Sequence, residues 1–197
     1  MVDLNSVLEI ATVTHPGMVR SHNEDSIAAD AEMGLAVLAD GMGGYNAGEV
    51  ASGIAVALIP LEIKKALAGR APHELNGKGI ERLIKEQAAK ANVTIYQAAQ
   101  SQRQYSGMGT TLVIALWHDD QLSVGHIGDS RLYRLRNDAL EQVTRDHSLL
   151  QEQIDSGMIT KEQTRYAPNK NLVTRAVGID PEVEAEVHTY AAQPGDI

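Results

Sequence analysis

The sequence predicts an α+β protein in which sheets pack on each other and helices lie outside. Three observations predict it. β-branched or apolar runs occur toward both ends of the chain. Two long helical patterns follow one another between them with no strand in between, unlike a repeating βαβ chain. The later apolar runs are separated by short polar turn signals, as antiparallel hairpins require. In chain order, residues 7–14 (VLEIATVT) are partly alternating and β-branched, are closed by HPG, and read as a strand. Residues 20–26 (RSHNEDS) are a polar loop, and residues 35–40 (LAVLAD) are a nearly continuous apolar run that suits a strand buried on both faces. From 47 to 69 the pattern is helical. Ala47, Val50, Ala51, Ile54, Leu58 and Leu61 form the inward stripe, and Pro60 is expected to kink or restart the helix. A second helix, 80–102, turns Ile80, Leu83, Ile84, Ala88, Ala91 and Ile95 inward.

Strands then return. Residues 109–117 (GTTLVIALW) are one, and DDQ is a turn. Residues 122–136 make one long strand or two, with Gly125 and Gly128 marking bulges or close approaches. NDA is a further hairpin turn. Residues 146–175 are polar and mixed, with a short helix at SLLQEQIDSG. LVTRAVG and EVEAEVHTY follow as strands.

The chain of 197 residues suffices for one domain with a sizeable core. With no Phe and 4% aromatics, that core must be aliphatic. A net charge of −9 disfavours nucleic acid and anionic membranes as partners and suits hard cations. The absence of Cys excludes disulfides, thiolate metal sites and a cysteine nucleophile. No apolar run reaches the ~18 residues of a membrane span, and no secretory leader is evident, so the expected location is the cytoplasm. No G-x-x-x-x-G-K-[ST], H-E-x-x-H or G-x-S-x-G motif is present. His126 lies within a strand and reads as a hydrogen-bonded core histidine, whereas His147 reads as part of a cap on the following segment, made through Asp146 or Ser148.

Three acidic motifs lie at strand ends or in Gly-rich turns: Glu24 and Asp25 in RSHNED, Asp40 in LADGMGG, and Asp129 in GHIGDSR. Carboxylates are poor residues for strand interiors and costly when buried unpaired, and divalent cations offset that cost. An all-oxygen set favours Mg²⁺ or Mn²⁺. The glycines after Asp40 leave room for a backbone carbonyl to approach a cation. Arg20 carries a planar fork suited to a phosphate. Each motif alone also reads as an ordinary turn, and only their combination points to chemistry.

R-S-H-N-E-D (20–25), A-D-G-M-G-G (39–44), G-x-G-T-T (107–111), G-D-S-R (128–131) and D-H-S-L (146–149) occur here in the order seen in metal-dependent Ser/Thr protein phosphatases. The whole chain resembles that PPM family (protein phosphatase type 2C) in its compact bacterial form. The resemblance implies a four-layer αββα fold, a central β-sandwich of two mainly antiparallel sheets flanked by helices. It implies two Mn²⁺ or Mg²⁺ ions, with a third held more loosely. Asp40 would bridge the two ions and Gly41 would offer its carbonyl to one of them. Glu24 would sit near that ion, and Asp25 would bind or orient a metal-bound water. Asp129 would help hold the third ion, and Arg20 would bind the phosphate. Residues 147–177 would form a flap subdomain within a single catalytic domain, 1–197.

The implied activity is hydrolysis of phosphoserine and phosphothreonine in proteins by a metal-activated water, with no covalent intermediate. Phosphorylated proteins are the implied substrates, and a cognate bacterial Ser/Thr kinase is the implied signalling partner. Two departures qualify the resemblance. Met42 stands where many eukaryotic members have His, and a thioether cannot act as a general acid. Two further family aspartates, an S-D-G and a terminal D-N, have no match before Ile197. The expectation is therefore a C-terminally truncated form with weak metal binding and little activity, its parent being active. A catalytically inactive PPM-fold module that binds phosphoproteins or a partner is the alternative, and an acidic structural cation binder is a third reading.

Overall fold

The computed structural model describes residues 4–44, 47–68, 76–167 and 172–197. Its main sheet contains β1 (Asp25–Asp30), β2 (Leu35–Met42), β3 (Gly109–Thr110), β4 (Leu112–His118), β5 (Gln121–Ile127) and β8 (Glu186–Ala191). The strand order is β1-β2-β4-β5-β8, with β3 continuing beside β2, and every pairing is antiparallel. A second sheet is the two-stranded ribbon β6 (Tyr133–Arg136) and β7 (Ala139–Gln142). Helices α1 (Ala47–Ala68) and α2 (Gly77–Ser101) pack on each other and on the main sheet, α1 over β1 and β2 and α2 over β5 and β8. The short helix α3 (Leu149–Asp155) lies apart, beyond the ribbon in sequence. The α+β class with antiparallel sheets is as the sequence predicts.

Helix α2 follows its pattern closely. Asn76 caps it by accepting from the Gly79 N–H at 2.9 Å, and Ile80, Leu83, Ile84, Ala88, Ala91 and Ile95 are all buried. Helix α1 is different, because it is apolar nearly all round and several stripes compete. Its sheet-facing residues are Ala47, Gly48, Ala51, Ser52, Ala55, Ile59 and Ile63. Leu61, expected inside, is 51% exposed. Small residues win the inner face because they let the helix sit close to β2. Pro60 neither ends nor restarts α1, which continues to Ala68.

The turns behave as their composition predicts. Asp119, Asn137 and Asp138 take positive φ (51°, 50° and 60°) in the β4–β5 and β6–β7 connections. Three expectations change. Residues 7–14 form no strand, and Val7 and Val13 are exposed, because β-propensity without a paired neighbour does not make a strand. Residues 172–178 contribute only isolated bridges, Val173 to Ser148 and Val177 to Thr110. β2 is fully buried on the face carrying Leu35, Val37 and Ala39, while Ala36 and Leu38 on the opposite face are half covered. Burial on both faces belongs instead to β4, the central strand, where residues 112–116 are all buried.

The C-terminal residues close against the ribbon. Ile197 and Leu135 exchange backbone hydrogen bonds, and Arg136 holds Asp196 bidentately at 2.6 Å through both nitrogens. Asp196 is thereby engaged away from the acidic motifs.

Candidate metal and phosphate site

Asp40 stands near the end of β2, between two neighbours. On one side the strand register sets Asp25 of β1 directly opposite it. On the other, the Asp40 carbonyl accepts from the Thr111 N–H (2.9 Å) and the Thr110 hydroxyl (3.0 Å), and the Asp40 N–H donates to Thr111 Oγ1 (3.0 Å). Both main-chain groups of Asp40 thus turn away from β1. The Asp25–Asp40 pair is therefore the non-hydrogen-bonded kind, in which facing side chains stand closest.

Glu24 is placed by its backbone. Its carbonyl accepts from the Gly41 N–H (3.1 Å) and from the hydroxyl of Ser52 (2.6 Å), a fully buried residue of α1. The same helix approaches the strand through Gly48. A Cβ on Gly41 would lie 2.1 Å from the Gly48 carbonyl oxygen, and one on Gly48 would lie 2.9 Å from Glu24 Oε1. Two glycines facing each other are what let the start of α1 and the end of β2 meet.

Asp129 follows β5. Its loop is anchored by Gly128, which takes φ +101° and leaves no room for a Cβ against the Thr111 side chain. Arg131 in the same loop grips Asp146 with two hydrogen bonds, 2.8 Å and 2.6 Å. Asp146 is nearly covered (9% exposed) and Arg131 half open (46%), so screening discounts the pair. Replacing Arg131 with Ala should cost about 1–2 kcal/mol, while Arg131→Lys should recover less than half of that because it lacks the fork. Urea unfolding of the three proteins measures this.

Burial and like-charge repulsion raise the pKa of two carboxyls in the cluster. Asp40 opens to solvent, yet burial of its carboxyl raises its pKa from 3.8 to about 6, aided by the charge of Asp25, a hydrogen bond between the two carboxyls, and the charge of Asp129. Arg20, exposed in the loop before β1, lies near enough to offset part of this. Asp129 is raised as well, first by burial and then by Asp146. The sequence-predicted residues Arg20, Asp25, Asp40 and Asp129 are therefore brought into electrostatic contact, with Glu24 and Gly41 joined to them through the backbone. Such a cluster is short of positive charge, and its all-oxygen donors fit hard divalent cations.

A second cluster brings His126, His147 and Glu186 together, with one ligand-type atom of each within 4.8 Å of the others. Its protons argue against a cation. The Gly128 N–H donates to His147 Nδ1 (3.2 Å), so the neutral ring carries its proton on Nε2, which faces Glu186 Oε2 at 3.3 Å. His126 Nε2 donates to the Arg145 carbonyl at 2.8 Å. The two rings stack at 4.7 Å between centroids, and burial lowers the pKa of His147, keeping it neutral. The trio is a brace between β5, β8 and the turn at 147, and Ser148, one of the two caps expected there, caps α3 by accepting from the Gln151 N–H. Sequence reasoning placed no role on Ser52, Thr111 or Ser130. The available signals were the GTT run, which holds Thr111, and G-D-S-R, which holds Ser130.

A sequence model of the family Protein phosphatase 2C matches residues 19–175. The chain belongs to that family of metal-dependent serine/threonine protein phosphatases. Among relatives, the serine/threonine phosphatase stp of Listeria innocua is 37% identical over 186 residues, covering 93% of this chain and 72% of that protein. The serine/threonine protein phosphatase PstP of Mycobacterium tuberculosis is 38% identical over 197 residues, all of this chain and 36% of that one. Among solved structures, the catalytic domain of PstP with two manganese ions superposes with a TM-score of 0.76 at 35% identity, over 91% of this chain and 70% of that one. The PPM Ser-Thr phosphatase MsPP of Mycobacterium smegmatis, in complex with cacodylate, gives 0.79 at 31% identity, over 96% and 75%. These relatives do not favour the reading as an inactive binding module. Among the described residues, no helix is long and apolar enough to cross a membrane.

Proposed function

We propose that this protein removes phosphate from phosphoserine and phosphothreonine in proteins, with Glu24, Asp25, Asp40, Asp129 and the Gly41 carbonyl holding manganese or magnesium and Arg20 binding the phosphate. The observation that carries this reading is the grouping itself: the strand register sets Asp25 opposite Asp40, and Asp129 and Arg20 lie close enough to act on the Asp40 charge. Burial and the acidic neighbours raise the Asp40 pKa, as fits a place built for cations. When bound, the ions supply Lewis acidity and a nucleophile at neutral pH. The chain's own residues do the rest. Asp25 and Asp40 accept positive charge at adjoining strand ends, and Arg20 meets the dianionic substrate from the open side. Met42 carries no proton, so it takes no part in protonating the leaving oxygen.

Residues 147–177, of which 168–171 lie outside the described residues, are the flap beside the site in this reading. Its base is tied down by the His147 N–H to the Gly128 carbonyl (2.9 Å) and the Thr174 N–H to the His147 carbonyl (2.8 Å). Substrate choice would lie there, and a Ser/Thr kinase sharing the same substrates in the cytoplasm would be the signalling counterpart.

The test is phosphate release from a phosphothreonine peptide with Mn²⁺, where turnover persisting in excess EDTA would overturn the reading. A pH dependence accompanies it. Because the folded pKa of Asp40 lies above its unfolded value, the metal-free fold binds that proton preferentially and loses the associated stability as pH rises from about 4 to about 6. Mn²⁺ competes with the same proton, so its affinity should climb through that window and level off above it. Calorimetric titrations with Mn²⁺ between pH 5 and pH 7.5 would show the rise.

A further inference from the structure

Asp40 and Asp129 come from strands that are not neighbours, β2 and β5, and a cation site needs them at a constant separation. One hydroxyl links them. In a regular antiparallel ladder the Asp40 N–H would donate to the carbonyl of the facing residue, Thr111. It donates instead to the Thr111 side chain, at 3.0 Å. The Thr111 carbonyl lies 3.0 Å from the Thr110 hydroxyl, whose one proton it shares with the Asp40 carbonyl. Thr111 Oγ1 lies 2.7 Å from Ser130 Oγ, next in sequence to Asp129. Since Oγ1 receives the Asp40 N–H, its own proton is free to go to Ser130. The Thr111 side chain also packs where a Cβ on Gly128 would fall, 2.7 Å from Cγ2. Thr111 is 3% exposed, so no water replaces these bonds cheaply.

We propose that Thr111 is a positioning residue for the phosphatase reaction. Its hydroxyl, relayed by Ser130, sets the distance between the Asp40 carboxylate and the Asp129 loop. This rests on the reading of Asp40 and Asp129 as metal ligands. The role requires a hydroxyl that takes the Asp40 N–H and still bonds to Ser130, whichever of the two hydroxyls donates. Ser can meet that requirement and Val, of the same shape as Thr, cannot.

The experiment titrates Mn²⁺ alone into the wild-type chain, Thr111→Val, Thr111→Ser, Ser130→Ala and Asp40→Asn by calorimetry, with amide hydrogen exchange at Asp40 followed in EDTA. Thr111→Val should weaken Mn²⁺ binding about 10–100-fold and speed exchange of the Asp40 amide, as lost support of a metal ligand does elsewhere. Thr111→Ser should stay within about two-fold of wild type, and Ser130→Ala should fall between, about three- to ten-fold weaker. In activity assays the loss should appear in kcat and in the Mn²⁺ requirement, with KM for phosphopeptide little changed. Wild-type Mn²⁺ affinity in Thr111→Val, beside a lost affinity in Asp40→Asn, overturns the positioning role and leaves the ligand reading standing. Wild-type affinity in Asp40→Asn overturns the ligand reading itself. Should Thr111→Val fail to fold, Ser130→Ala decides, because unchanged affinity there breaks the relay. A Thr111→Ser protein as impaired as Thr111→Val assigns the effect to the lost methyl and also overturns it.

Discussion

Asp40→Asn should abolish metal-dependent turnover while making the metal-free protein more stable. Two effects of opposite sign meet at this residue. Asn keeps the shape of the side chain and its place opposite Asp25, but removes the charge on which cations depend, so activity on a phosphopeptide should fall at least about a hundred- to a thousand-fold. Without metal, the ionised Asp40 is a liability, crowded by burial and by Asp25 and Asp129. Neutralising it should raise the Tm in EDTA at pH 7.5 by a few degrees and erase the further rise that Mn²⁺ gives the wild-type protein. Thermal melts of both proteins, with EDTA and with Mn²⁺, together with phosphate release, test both halves. A variant that keeps wild-type turnover, or whose metal-free Tm drops, would contradict the assignment of Asp40.

Gly41→Ala should be the most damaging single methyl in the site. The added Cβ would lie 2.1 Å from the Gly48 carbonyl oxygen, 2.4 Å from the Gly48 carbonyl carbon and 2.6 Å from the Glu24 carbonyl oxygen. All three are backbone atoms, so no side-chain rotation relieves the clash. Helix α1 must move off β2, or the hydrogen bond from the Gly41 N–H to Glu24 must break. The expected cost is about 3 kcal/mol or more, a fall in Tm of roughly 6–12 °C. Ala at Gly53, where nothing lies within 4 Å of an added Cβ, should leave Tm near wild type or slightly raise it. Differential melts of the two variants separate the local clash from a general effect of removing glycine.

The elements that sequence reasoning found most faithfully are those whose local pattern is unambiguous. Helix α2 has a sharp apolar stripe between polar faces, and every residue expected inside is buried. Helix α1 has no such contrast. Its orientation follows from the need for Gly48, Ser52 and Ala55 to approach the sheet, which only the sheet can impose. Residues 7–14 carry strand propensity, but a strand is a property of two chains side by side, and no ladder forms on this one.

The candidate site divides in the same way. Glu24, Asp25, Asp40 and Asp129 were legible because carboxylates at strand ends or in Gly-rich turns are out of place unless something compensates them, and Arg20 because its planar fork suits a phosphate. Their grouping was legible only as a resemblance. The roles of the supports were not visible, although Thr111, Ser130 and Arg131 lie inside quoted motifs. Ser52 is a helical serine like many others, and Thr111 lies 71 residues from the Asp40 amide it receives. Arg131 finds Asp146 because β6 and β7 pair as a hairpin and bring together the residues that flank them.

By itself, then, the sequence determined the α+β class, the hairpin turns, the aliphatic core, the inner face of α2 and the acidic character of the site, all of which follow from residue chemistry at short range. Only the tertiary structure decided which strands are neighbours. The order β1-β2-β4 puts Asp40 between Asp25 and Thr111. That adjacency raises the Asp40 pKa, turns its main chain toward Thr111, and links it through Ser130 to the Asp129 loop. Spacing along the chain carries none of this, because the energies involved depend on distances between segments that meet only when the sheet has formed.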